Sequence, residues 1–206
     1  MISPPLQEYD PGESGDEVIA AVYTKLKENF SAEFDSGFTI DFKQFSSFTY
    51  DSINNFGPVI RLQSQLKPFY LTFIEVGYIT TGGRRGDNGH LEYQTWGVVL
   101  LKNSYEHILI KPETLLDKIH NLITPVDLNF EEDKNFSRKY YVVTNDELKA
   151  RPLLTQSFRD MICNIEVDDF MIEVIDNKLI IGNKRVVDPE SAVAFAKFLN
   201  TISKNY

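Results

Sequence analysis

The chain has 206 residues, 42% of them hydrophobic and 13% aromatic, with a formal charge of −9. A phosphate backbone would meet net repulsion, which excludes nucleic acid as the first reading of a partner. Cys163 is the single cysteine, so an intramolecular disulfide and a cysteine-based zinc site are excluded as well.

Residues 1–13 are rich in Pro, Gly and acid and read as a flexible leader. Met1-Ile2-Ser3-Pro4-Pro5 has neither the basic nor the apolar region of a signal peptide. Ser14 and Glu17 have the spacing of a capping box, and Ile19, Tyr23, Leu26 and Phe30 then form one helical stripe ending near Ser31. From Gly37 the period becomes two. Phe38, Ile40 and Phe42 predict one strand, and Ile60, Leu62 and Leu66 predict another. Residues 69–79 carry Tyr70, Ile74, Val76 and Tyr78 on one face, and residues 91–102 supply an antiparallel partner. The longest apolar stretch, near Trp96 to Leu101, is far short of the ~20 residues that a membrane helix needs.

A short strand is expected at Ile108 to Ile110. Pro112 then suits the first position of a helix whose buried face is Leu115, Leu116, Ile119, Leu122 and Ile123. Residues 139–143 predict a strand. Thr144 with Glu147 predicts a second capping box, and Thr155 predicts the cap of a helix carrying Phe158, Met161, Ile162 and Ile165, with Cys163 buried at the edge of that stripe. Asp176-Asn177 reads as a hairpin turn between strands at 170–174 and 179–181. Asp188-Pro189-Glu190 opens a last helix that turns Phe195, Phe198, Leu199 and Ile202 inward. These elements predict an α+β fold: one domain over residues 14–206, softly divisible near 103, with four to five helices packed on an antiparallel or mixed sheet.

The segment that stands out chemically is the tip of the long hairpin, Thr80 to Gly89. Four glycines surround Arg84, Arg85 and Asp87, with His90 just beyond. Glycines let backbone N–H groups converge on an anion, and an arginine adds a fork of donors. Arg84, Arg85, Asp87 and His90 are therefore the candidate binding residues. The competing reading is a solvated turn, because no Gly-Lys-Ser/Thr ending and no helix follow. His90, His107 and His120 lack paired-ligand spacing, so no metal site is expected. The acidic clusters at Glu131–Asp133 and Glu166–Asp169 lack the calcium-loop pattern and read as solvated loops and caps. No nucleophile elbow or acid/base pair is legible, so no catalytic residue and no cofactor are expected.

The second half carries Ile108-Leu109-Ile110-Lys111-Pro112-Glu113, Val126-Asp127-Leu128-Asn129-Phe130 and Asn135-Phe136-Ser137-Arg138-Lys139-Tyr140. Asn145-Asp146-Glu147, Ala150-Arg151, Leu153-Leu154-Thr155, Ile165-Glu166 and Leu179-Ile180-Ile181 follow in order. In these segments the chain resembles a family of uncharacterised bacterial proteins, many of them membrane-tethered through N-terminal hydrophobic segments. This chain departs from them in lacking such a segment, and the resemblance implies no catalytic residue.

Two functions stay open at this stage. The first is a non-catalytic interaction or scaffold domain that binds a protein partner in a bacterial cytoplasm or at the inner membrane surface. The second is an enzyme or small-ligand binder that takes an anionic substrate at the tip. The absent catalytic motifs lean the reading away from an enzyme. Oligomeric state has no sequence signal.

Overall fold

The computed structural model describes residues 13–49, 52–80, 88–113 and 126–206. Its frame is a nine-stranded sheet in which every hydrogen-bonded pair is antiparallel, in the order β1-β2-β3-β4-β9-β8-β5-β7-β6. The strands are β1 (Ser31–Phe34), β2 (Ser52–Gln63), β3 (Phe69–Thr80), β4 (Asn88–Leu100), β5 (His107–Pro112), β6 (Val126–Asp127), β7 (Tyr140–Thr144), β8 (Met171–Ile175) and β9 (Lys178–Gly182). The described helices are α1 (Glu13–Asn29), α2 (Lys134–Lys139), α3 (Glu147–Ala150), α4 (Gln156–Cys163) and α5 (Pro189–Asn205). The fold is thus α+β, and one sheet runs through both halves of the chain because β4 pairs with β9.

Helices cover one face of the sheet. Val22 and Leu26 of α1 join Phe195, Leu199 and Ile202 of α5 over Leu71, Phe73 and Val99 of the central strands, all of them fully enclosed or nearly so. Two glycines permit the closest approaches. A Cβ on Gly97 would stand 2.4 Å from a methyl of Leu199, and one on Gly182 would stand 2.5 Å from the Trp96 ring. The opposite face is covered at its centre by the segment that follows β1. Phe42, Phe45 and Phe48 lie in two 3-10 turns and the link between them, and pack on Ile74, Val76, Trp96, Val98 and Ile180. Burial on both faces explains why β3 is apolar at nearly every position rather than at alternate ones.

The predicted hairpin is present, with pairing from Tyr70↔Val98 to Thr80↔Asn88. Thr155 caps α4 by accepting from the Phe158 N–H, and Asp188 caps α5 by accepting from Ser191 N with Pro189 at the first position. Asp176, at φ 55°, turns β8 into β9.

Other expectations need correction. Residues 38–42 are not a strand. Asp35 accepts from the N–H groups of Gly37 and Phe38, and Asp41 caps the turn Phe42–Gln44, so the alternating apolar residues lie on the sheet without pairing to it. The strand in this region is β1. Leu66 lies beyond β2 and is 65% exposed. Helix α1 is described from Glu13, so Ser14, expected at its cap, lies within the helix. Pro112 closes β5 opposite Tyr140, and the helix expected to follow, with its buried face from Leu115 to Ile123, lies outside the described residues. Lys139 ends α2, a six-residue helix that Asp133 caps. The cap of α3 is Asp146, with Thr144 accepting from the Asp146 N–H one step earlier. Cys163 is exposed: α4 buries Phe158, Arg159 and Ile162, and the next residue is rotated about 100° out of that face.

Candidate functional site

Arg84, Arg85 and Asp87 lie outside the described residues. His90 is in β4, opposite Tyr78 in the ladder. The described geometry brings other residues together, in three places.

The first is a buried carboxylate. Glu173 sits in the middle of β8, in the run Met171-Ile172-Glu173-Val174-Ile175, and is fully buried. Its pair in the ladder is Leu109, and His107 pairs with Ile175, so Glu173 and His107 are diagonal neighbours on one face. His107 Nε2 meets Glu173 Oε1 at 2.5 Å. Ser46 gives the same oxygen its N–H at 2.7 Å and its Oγ–H at 2.8 Å. Ser47 does likewise for Oε2, at 2.9 and 2.6 Å. Burial alone would raise the carboxyl's pKa. The hydrogen bonds from His107 and Ser47, together with the imidazole's charge, overcome it and hold Glu173 below the usual carboxylate range. A hydrolytic triad would need a serine hydroxyl facing an imidazole. Here imidazole and hydroxyls all converge on the carboxylate, and the cluster works as a clip fastening the aromatic segment to the sheet.

The second is Arg159 of α4, whose side chain is 4% exposed. It donates to Asp133 at 3.0 Å, to the Leu154 carbonyl at 2.8 Å and to Gln156 Oε1 at 2.7 Å, and its guanidinium lies 4.4 Å from the Phe130 ring centroid. For Asp133, burial favours the neutral acid, but bonds from Gln156, the Phe136 N–H and Arg159 lower its pKa. Part of the acidic cluster at Glu131–Asp133 therefore joins α2 to α4.

The third is open to solvent. Along the outer side of α5, two adjoining hollows of about 280 and 260 Å³ share Glu166, Ala194 and Lys197. Their apolar lining comes from Met161, Ile165, Val167, Val193, Ala194 and Phe198. Glu166, Asp188 and Glu190 stand among these with Lys197, and Lys25 of α1 reaches Glu190 from outside the lining. Lys197 Nζ and Glu166 Oε2 face each other at 3.9 Å, with both side chains largely exposed.

Sequence reasoning placed Phe198 and Met161 on helix faces but did not identify the groove, which exists only once α4 and α5 are side by side. Glu173 had a signal: a lone acid inside an apolar strand requires partners.

No protein-family model matches the chain, and no curated protein matches it. Among solved structures the chain is similar to the crystal structure of the mycobacterial trehalose monomycolate transport factor A, TtfA, with a TM-score of 0.53 at 7% sequence identity. The alignment covers 91% of this chain and 93% of that one. At that identity the likeness is one of fold. No helix among the described residues is long and apolar enough to cross a membrane.

Proposed function

We propose that this chain is a non-catalytic interaction or scaffold domain that docks a protein partner, in a bacterial cytoplasm or at the inner face of the membrane. The observation that carries the reading is the groove along α5, an apolar-lined surface hollow that the chain's own described residues leave open. The saturated bonding of Glu173 supports it, since both serine hydroxyls beside that histidine and carboxylate are already committed. Two further supports are a shared fold with a protein titled a transport factor and the resemblance of the second half to uncharacterised bacterial proteins.

The test is site-specific photo-crosslinking in the native host, with the reactive group at Lys197 or Thr201 in the groove and at Leu148 outside it. Leu148 is 84% exposed, which makes it a fair control for accessibility. A defined adduct from the groove positions that disappears with Ala194→Arg is the expected result. Equal, diffuse labelling from all three positions would overturn the proposal.

A further inference from the structure

We propose that the occupant of the α5 groove is a basic amphipathic helix of a partner protein. This rests on the interaction-domain reading above and gives its partner a chemistry.

Length comes first. The lining positions on α5 recur at Glu190, Ala194, Lys197 and Thr201, spacings of four, three and four that keep them in one row. At 1.5 Å per residue that row is about 16 Å long, three turns of a helix lying alongside. The mode of contact follows from the lining side chains. On the facing wall, Asn164 N–H already bonds the carbonyls of Asp160 and Ile162, and Ile165 N–H bonds Ile162. The α5 backbone is bonded internally. The row of lining side chains at helical spacing on α5 favours recognition through side chains: apolar residues on Met161, Ile165 and Phe198, as when a helix lies in a groove.

Charge selects the partner's sign. Asp188 is committed to the Ser191 N–H and hydroxyl. Glu166 and Glu190 are held loosely, by Lys197 at 3.9 Å and Lys25 at 3.7 Å, with glutamate side chains 80% and 75% exposed. Ion pairs of this kind contribute little and exchange readily. A lysine or arginine beside the partner's apolar stripe can take over either glutamate, whereas an acidic segment or an anionic bilayer would add repulsion. Lys197 is then the groove's internal competitor.

The experiment uses the full chain and two fluorescent peptides of roughly 14 residues with leucines at helical spacing, one flanked by lysines and one by glutamates. The lysine peptide is expected to bind, more weakly as salt rises. Glu166→Lys with Glu190→Lys should weaken it about tenfold or more, and Lys197→Ala should tighten it about two- to fivefold. Melting curves for each variant establish that the fold is intact. Equal affinity for both peptides, or no gain from Lys197→Ala, would overturn the basic-helix assignment. If the glutamate peptide binds and Ala194→Arg blocks it, the groove still docks a partner and only the charge assignment falls. If neither peptide binds and Ala194→Arg leaves host crosslinking unchanged, the interaction reading falls too. Self-association abolished by Ala194→Arg would assign the groove to a second copy and overturn the proposal.

Discussion

His107 Nε2 and Glu173 Oε1 lie 2.5 Å apart across the β5–β8 ladder, and Ser46 and Ser47 complete the shell around the carboxylate from the far end of the sequence. Removing the acid leaves an imidazole, two hydroxyls and two N–H groups facing a void. Glu173→Ala should therefore cost about 3–5 kcal/mol, in the range found when one partner of a buried charged network is deleted. Urea denaturation followed by fluorescence measures it. A loss under about 1 kcal/mol would mean that water replaces the carboxylate without difficulty.

The same group sets a response to acid. Its folded pKa lies below the unfolded one, so its contribution to stability is complete above the ordinary carboxylate range. As pH falls through that range toward the lower folded value, the contribution is lost. Asp133 and Asp188 are shifted in the same direction and add to the slope. Glu173→Gln isolates one share: its stability should fall less steeply with acid than that of the parent. Parallel curves in melts from neutral to acid pH would count against the assignment.

Gly182 and Gly97 both admit a neighbour too close for a side chain, but the neighbours differ. At Gly182 a Cβ meets the Trp96 ring at 2.5 Å and the Thr95 carbonyl at 2.8 Å, and neither can move aside easily. At Gly97 it meets the ends of the Leu199 and Leu71 side chains, at 2.4 and 3.0 Å. Gly182→Ala should cost about 3 kcal/mol and shift the tryptophan emission, and Gly97→Ala about 1–2 kcal/mol, the usual range for overpacking. The reverse order would show that the sheet yields more readily than the helix above it.

Cys163 should react with a thiol reagent in the native protein to one equivalent, because it is exposed. Desolvation is the main cause of its raised pKa, with Asp133 and Asp160 adding to it, so the thiolate is scarce at neutral pH. Labelling should be slower than for a free cysteine peptide and accelerate as pH rises through the alkaline range. Labelling that needed denaturant would place the residue inside.

The parts of the fold legible in the sequence are those where one periodicity runs long enough to dominate. Helix α5 and the β3–β4 hairpin meet that condition. The alternation of Phe38, Ile40 and Phe42 was misleading because a chain lying across a sheet face also turns alternate residues inward, and no local signal separates that from pairing. Helix α2, six residues long, is too short to show a period. At the carboxylate, the acid was visible as an anomaly in an apolar strand. Its partners were not, since His107 is 66 positions away in sequence and Ser46 127.

The sheet order has a bearing on how the chain acquires its shape. Strands β1 to β4 are neighbours in both sequence and space, and so are β8 and β9, and in the described sheet the two groups are joined by the pairing of β4 with β9, from Trp96↔Gly182 to Leu100↔Lys178. Helix α5 follows β9 and yet rests on β3 and β4. During synthesis the apolar face of the first four strands emerges early and waits for Phe195 and Leu199 until most of the second half has been made. Long-range closures of this sort slow folding and leave hydrophobic surface open to aggregation meanwhile. The seam between β4 and β9 is thus the long-range closure that joins the early strands to the later ones.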